Sequence, residues 1–157
     1  ETKICISYIL SNPCPSYLRL HKAGEPIITS SSQISPCELN YIQRINSKKL
    51  ILTTGIAAQD IYTQIDEKFT SFDIASIPIW SAKHSSSLVN ALLKYEVIYT
   101  YEDHLIAGGF GSWFFEQFQI HRSSMTEKNP NIVCNFLSSD VMGMVGDPQF
   151  IKNLSQR

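Results

Sequence analysis

Residues 50–69, LILTTGIAAQDIYTQIDEKF, contain the pattern that decides the fold. The apolar run LILTT has the length of a buried strand and ends at Gly55. The residues that follow place apolar side chains on one helical face, at positions 57, 58, 61, 62, 65 and 69. The stretch therefore predicts a strand, a turn and an amphipathic helix.

The pairing of strand and helix repeats along the rest of the chain. We predict three further strands, at 72–80, 97–101 and 131–137. The helices that follow them are expected at 85–95, from 109 onward and at 147–154, and a serine among residues 85–87 is expected to cap the first of these. Strands that are apolar on both faces and alternate with helices are typical of a parallel sheet covered on both sides. The predicted fold class is a three-layer αβα domain with a mostly parallel sheet, over residues 49–157.

The first 48 residues are organised differently. Residues 1–10 have helical spacing, and the helix is expected to end before Pro13, because a proline disfavours helix in the residue that precedes it. We predict a short strand, SYLRL, at 16–20. Residues 26–48 are rich in Ser and Pro without sustained periodicity, which predicts a linker and a domain boundary.

Composition excludes several classes of protein. Thirteen basic and fourteen acidic residues are scattered along the chain, so the sequence lacks the basic footprint of a nucleic-acid binder. No apolar run approaches the roughly 20 residues that cross a bilayer, so we expect no membrane partner and a cytoplasmic location. The cysteines are widely spaced with no CxxC pair, which argues against a zinc ribbon or a redox dithiol; we expect reduced, mostly buried thiols at positions 5, 14, 37 and 134.

The stretch TYEDHLIAGGFGSWFFEQF, residues 100–118, is the main candidate site. An acid-acid-imidazole triplet, Glu102, Asp103 and His104, follows the predicted strand 97–101. Doubly wound sheets bind their ligands at such strand ends. The segment GGFGS then opens a helix, whose N–H groups favour anions. A rim that binds phosphate or carboxylate is one interpretation, and a corner that uses glycine only for backbone geometry and close packing is the other. A dinucleotide fingerprint is excluded because no third glycine follows Gly109 and Gly111 at the required spacing.

The remaining polar candidates are less specific. His84 and His121 have no metal-type partners at useful spacing, so we place both on the surface. The aromatic residues of segment 113–118 spread around more than one helical face, which indicates a core plus an interface. Arg19 is the lone charge in the predicted strand 16–20, where it suits either bidentate phosphate recognition or simple solvation at a sheet edge.

Three stretches, in this order, resemble the transketolase family: PSYLRLHKAGEP (15–26), LILTTGIAAQDI (50–61) and YEDHLIAGGFGSWFFEQF (101–118). The resemblance implies that residues 1–25 are the last helix and strand of a pyrimidine-binding domain. Residues 26–48 are then a linker, and residues 49–157 are a C-terminal domain of transketolase type.

The family's enzymes use thiamine diphosphate and a divalent cation such as Mg²⁺, held by two other domains. The GDG signature and the cofactor-activating glutamate of those domains do not occur in this sequence. The resemblance therefore implies no cofactor, no metal and no catalytic residue in this chain, which is expected to be inactive alone. A homodimer, or association with the cofactor-binding part of the enzyme, is the implied partnership.

Carried over by motif, Arg19 matches the arginine that contacts the sugar-phosphate group of the substrate. Matching positions in the glycine-rich corner, which serves packing and dimer contacts in the family, are Glu102, His104, Gly108, Gly109 and Gly111. The sequence departs from the family after IPIW, where it reads SAKHSSS, and over its last 40 residues.

The expected function is transfer of a two-carbon ketol unit between sugar phosphates by the complete enzyme. Deoxyxylulose-phosphate synthases and the beta subunits of 2-oxo-acid dehydrogenases are the nearest enzyme alternatives. A non-catalytic module that dimerises or binds a small anion at GGFGS, and an unrelated flavodoxin-like domain, are the alternatives from other classes.

Overall fold

The structure is a computed structural model, and it describes residues 1–20, 26–29, 34–122 and 129–146. A five-stranded sheet with the strand order β1-β3-β2-β4-β5 organises these residues. Its strands are β1 (Asn40–Gln43), β2 (Lys49–Thr53), β3 (Asp73–Ser76), β4 (Val97–Leu105) and β5 (Asn131–Leu137). Strand β1 runs antiparallel to β3, and the other four strands are parallel. The prediction of a mixed α/β fold with a mostly parallel sheet is confirmed.

In the described residues, five helices accompany the sheet: α1 (Thr2–Ser11), α2 (Ala57–Tyr62), α3 (Ile65–Lys68), α4 (Ser85–Leu92) and α5 (Phe110–His121). Short 3₁₀ turns cover Ala82–His84 and Ser139–Val141. Among the described residues, no helix is both long enough and apolar enough to cross a membrane.

The central strand β2 is buried on both of its faces, as its unbroken apolar run predicts. Leu50 and Leu52 belong to the larger hydrophobic cluster, together with side chains of α4 and α5. Ile51 points to the other face, where it joins a smaller cluster with Ile61 of α2 and, at its margin, Ile65 of α3. Helices therefore contribute apolar side chains to both faces of the sheet.

The helix predicted after β2 is interrupted, and α2 and α3 are separate elements. The Thr63 hydroxyl and the Gln64 side-chain amide both donate to the carbonyl oxygen of Asp60, at 2.9 and 3.0 Å. Side chains that bond to nearby backbone groups compete with a continuous helical pattern. Gly55, which joins β2 to α2, has a φ of +57°, a conformation that glycine adopts without steric penalty.

Two predictions for the N-terminal third are wrong. Residues 16–20 do not form a strand, and the apolar side chains of Tyr17 and Leu20 are exposed. Conversely, the predicted linker 26–48 contains β1, whose pairing with β3 has an irregular register between Tyr41 and Gln43. Both errors have one cause: a short strand exists only where a neighbouring strand pairs with it, and local sequence does not report such a neighbour.

One strand boundary and one helix cap in the C-terminal part also differ from prediction. Strand β4 continues to Leu105, so Glu102, Asp103 and His104 lie in the last part of the strand rather than after it. The N-cap residue of helix α4 is His84, which makes no side-chain cap bond. The expected serine cap is absent, because the Ser85 and Ser87 hydroxyls donate to the preceding carbonyl oxygens of Ala82 and His84 instead. The helix predicted at 147–154 lies outside the described residues.

Candidate functional site

The candidate site lies at the carboxyl edge of the parallel strands, where β2 and β4 are neighbours. From β2 the chain proceeds to β3 on one side, whereas β4 lies on the other side, so the strand order reverses between β2 and β4. In open α/β sheets, ligands bind in the crevice at such a reversal. Both parts of the candidate site, the glycine-rich corner and Arg19, meet the end of β4.

The glycine-rich corner is organised by the buried side chain of Glu102. Its Oε2 atom accepts the N–H of Phe110 at 2.6 Å, and its Oε1 atom accepts the N–H of Gly111 at 2.9 Å. These two N–H groups are in the first turn of α5, where a helix has no internal acceptors for its donors. Glu102 therefore provides from within the chain the negative charge that the start of α5 favours.

The three glycines of the corner have two different reasons to be glycine. Gly108 has a φ of +73°, in the left-handed region that residues with side chains rarely adopt. A Cβ atom on Gly109 would lie 2.2 Å from Glu102 Oε2 and 2.5 Å from the Leu105 carbonyl oxygen. A Cβ atom on Gly111 would lie 2.9 Å from both Glu102 Oε1 and Thr100 Oγ1. Gly109 and Gly111 thus give Glu102 access to the helix start.

Burial raises the pKa of the Glu102 carboxyl, and the hydrogen bonds from the Gly111 and Phe110 amides offset only part of that rise. The Thr100 hydroxyl beside it is fully buried and makes no hydrogen bond within the described part of the chain. Thr100 was not predicted as part of the corner, because a threonine within an apolar strand carries no signal of its own.

Arg19 meets the other two members of the acid-acid-imidazole triplet. Its Nη2 atom lies 3.1 Å from Asp103 Oδ2, and its Nη1 atom donates to Asp103 Oδ1 at 3.4 Å and to His104 Nε2. His104 Nδ1 lies 3.1 Å from Asp103 Oδ1. The side chains of Arg19, Asp103 and His104 are 48%, 15% and 42% exposed, so Asp103 is the least exposed member of the cluster.

Asp103 contacts both Arg19 and His104, although the sequence alone indicated no separate role for it.

The other two candidate histidines are partly exposed, and each also links elements of the fold. His84 is half-buried, and its Nε2 atom lies 3.0 Å from the Tyr8 hydroxyl of α1. His121, also half-buried, lies 2.9 Å from the Ser85 hydroxyl of α4 through its Nε2 atom. Both contacts are between residues far apart in sequence, which spacing within a motif does not reveal.

The four cysteines are free thiols, in agreement with the prediction of a reduced state. The prediction that most are buried is wrong: only Cys5 is buried, Cys37 and Cys134 are half-buried, and Cys14 is exposed. Within the described ranges, no group of three His, Cys, Asp or Glu side chains is arranged to hold a metal ion.

The fold and the site define a mixed α/β protein with polar residues gathered at the carboxyl edge of its sheet. Comparison of the chain with protein-family models, with curated proteins and with solved structures found no match. The resemblance to transketolases therefore stays a prediction.

Proposed function

We propose that this chain is the C-terminal part of a transketolase-like enzyme, folded as a three-layer αβα domain. The complete enzyme transfers a two-carbon ketol unit between sugar phosphates. In this proposal the chain supplies packing surface, subunit contacts and, through Arg19, one group that binds the phosphate of the substrate.

The contact of Arg19 with Asp103 and His104 is the observation that carries the proposal. It joins the first of the three transketolase-like stretches to the third. The second stretch forms β2 and α2, and β2 pairs directly with β4. All three stretches are thus neighbours at the edge where α/β proteins bind ligands.

Arg19 retains the capacity to bind an anion. Within the described residues only its two terminal nitrogens are engaged, by Asp103 and His104. A guanidinium has five N–H donors, so its Nε–H and one terminal N–H can still be directed at a phosphate oxygen.

The glycine-rich corner does not fit the diphosphate of a thiamine cofactor. Its amides at Phe110 and Gly111 are already bonded to Glu102, whose carboxylate would repel a second anion. Thiamine diphosphate and Mg²⁺ therefore belong, in this proposal, to other parts of the enzyme. The residues of this chain act only by binding and orienting.

Kinetics of the full-length protein with thiamine diphosphate and Mg²⁺ test the role of Arg19. Loss of a charge-assisted, bidentate contact is worth about 1.5–3 kcal/mol, so Arg19→Ala should raise KM for phosphorylated sugars about 10- to 100-fold. KM for the corresponding unphosphorylated sugars should change little.

Arg44→Ala is the matched control, because Arg44 lies 4.8 Å above the Tyr41 ring, just beyond β1 and away from the carboxyl edge. An equal change in KM for both kinds of sugar would contradict the anchor role. Absence of ketol transfer by the unaltered protein would contradict the proposed enzyme class.

A non-catalytic interaction module is the second candidate function. Helix α5 favours it, because Phe115 is 46% exposed and Ile120 is 67% exposed, while Phe114 and Phe118 of the same helix are buried. The variant of this candidate that binds an anion at GGFGS requires the anion to displace Glu102 from the two amides.

A further inference from the structure

We infer that β5 is an open sheet edge that pairs with β5 of a second copy of this chain, so that two molecules share one continuous sheet. The two strands run antiparallel about a two-fold axis at Cys134. The inference goes beyond the proposed enzyme activity and does not depend on it, because it rests on strand order, backbone direction and charge.

Strand β5 ends the sheet on one side, and β4 is its only strand neighbour among the described residues. It is seven residues long, carries no charge, and contains neither proline nor glycine. Charges, prolines and bulges are the features that usually protect an edge strand from pairing with another chain. The opposite edge differs, because β1 has four residues and an irregular register against β3. Strand β5 is therefore the edge that is suited to pairing.

The direction of the backbone shows which groups of β5 are available. The Asn131 N–H donates to the Glu96 carbonyl oxygen, on the β4 side, at 2.9 Å. Backbone groups of successive strand residues point alternately to the two edges of the strand. The outward N–H and C=O groups are therefore those of the even positions, Ile132, Cys134 and Phe136.

Pairing of β5 with a second β5 satisfies all of these outward groups. In an antiparallel pair, every second set of facing residues exchanges both of its N–H···O bonds. A two-fold axis at Cys134 places this residue opposite its own copy, and it places Ile132 opposite Phe136 of the second copy. Cys134 is the central residue of β5, so this register uses the whole strand. The strand is uncharged, so no like charges meet across the axis.

Helix α5 identifies a second copy as the partner. A Cβ atom on Gly111 would lie 3.3 Å from Cys134 Sγ, so this side of α5 faces β5. Phe115 is exposed and lies one helical turn after Gly111, on the same side of the helix. A two-fold axis perpendicular to the sheet keeps both α5 helices on one face of the shared sheet and turns their Phe115 sides toward each other. The strand edge and this apolar side chain thus form one self-complementary surface.

Amide hydrogen exchange of the full-length protein, followed by NMR at low and high protein concentration, tests the inference. We expect the outward amides of Ile132, Cys134 and Phe136 to exchange at least about tenfold more slowly in concentrated than in dilute protein. The amides of Val133 and Asn135 bond to β4, so their protection should not depend on concentration. Alternation of the two behaviours along β5 identifies pairing at the strand edge.

Phe136→Pro removes one outward N–H and, because this group points away from β4, leaves the bonds between β5 and β4 intact. We expect the dissociation constant of the dimer to rise at least about tenfold, as two symmetry-related hydrogen bonds are lost. Phe136→Val is the matched control, since it keeps the N–H and a strand-forming side chain, and its dissociation constant should stay within about threefold. Sedimentation equilibrium makes the measurement, and circular dichroism checks the folding of both variants.

Disulfide cross-linking tests the register without a proline. In the inferred pair Val133 faces Asn135 of the second copy, at a position without hydrogen bonds where the Cα atoms are about 4.5 Å apart. This separation suits a disulfide. The double variant Val133→Cys with Asn135→Cys should therefore give a covalent dimer on oxidation by air with a copper catalyst. Val133→Cys alone is the control and should give no more dimer than the unaltered protein, because Val133 does not face its own copy.

Three results would overturn the inference. A protein that is monomeric at all concentrations excludes the shared sheet. Protection of the outward amides that does not depend on concentration assigns the edge to another segment of the same chain. Equal cross-linking of the single and double cysteine variants excludes the register. Ketol transfer and the effect of Arg19→Ala on KM are measured separately, so the failure of this inference is distinguishable from failure of the proposed function.

Discussion

Glu102 places a carboxylate at the helix start where many α/β proteins bind a phosphate. A bound phosphate would bring a negative charge and accept hydrogen bonds from the amides of the helix start. Here the side chain of Glu102 does both. GGFGS alone is compatible with a ligand site and with a packing corner. The position of Glu102 favours packing, because two amides of the corner are already satisfied.

Gly109 gives a prediction at the scale of one residue. We expect Gly109→Ala to lower the free energy of unfolding by about 1–3 kcal/mol, because the added methyl group overlaps Glu102 Oε2 and the Leu105 carbonyl oxygen. Chemical denaturation measures this change.

Gly108→Ala is the comparison, since an added Cβ there meets nothing within 4 Å and only its φ of +73° is unfavourable. That variant should lose about 1 kcal/mol. A loss at Gly108 that equals or exceeds the loss at Gly109 would show that the fit of Glu102 to the helix start is unimportant.

Among the elements, β1 and the segment after it show how a strand forms in a sequence that resembles a linker. Asp73, at the start of β3, accepts the N–H groups of Ile45 at 2.9 Å and Ser47 at 3.1 Å. It also accepts the Tyr95 hydroxyl at 2.8 Å. The carboxylate thereby holds the connection from β1 to β2 against the sheet.

Asp73 supplies the prediction for this element. Burial alone would raise the pKa of Asp73, but the hydrogen bonds from Ser47, Ile45 and Tyr95 outweigh it and lower the pKa. A carboxyl group with a lowered pKa stabilises the fold above its unfolded pKa, and this contribution is lost as the pH falls through the folded pKa.

We therefore expect Asp73→Asn to lower the free energy of unfolding by about 2 kcal/mol at pH 7. The difference from the unaltered protein should shrink below about pH 4, the usual range of an aspartate. Asp66→Asn, at an exposed position of α3, should show neither effect. Urea denaturation across this pH range makes the measurement, and a pH-independent difference would refute the role given to the carboxylate.

For the whole molecule, the two hydrophobic clusters differ in size, and α5 belongs to the larger one. The buried face of α5 carries Phe110, Phe114 and Phe118. Phe115 and Ile120 are exposed and lie on opposite sides of that face. Large apolar side chains left exposed on a helix that already has a buried face are typical of an interaction surface.

Self-association is the prediction at this scale. We expect the full-length protein to dimerise through α5, and the double variant Phe115→Ser with Ile120→Ser to weaken the dimer at least about tenfold, because apolar area leaves the interface. Sedimentation equilibrium measures the dissociation constant. Tyr62→Ser, on the exposed side of α2, is the control and should leave it unchanged. A monomer at all concentrations, or equal weakening by the control, would exclude this surface.

The sequence by itself determined the alternation of strands and helices and the burial of the central strand. Apolar periodicity is a local property, and the unbroken apolar run of β2 carries it in full. The same local signals predicted the glycine-rich corner and named Arg19, Glu102 and His104 as the side chains to examine.

Only the tertiary structure decided which partners these side chains have. Arg19 is separated from Asp103 by 84 positions along the chain, and no spacing rule relates the two. The strand predicted at 16–20 is absent and the strand at β1 is present because strand pairing depends on distant segments. Burial and charge pairing arise when the whole chain packs, so the contacts of His104 and the role of Glu102 follow from the fold and not from their local sequence.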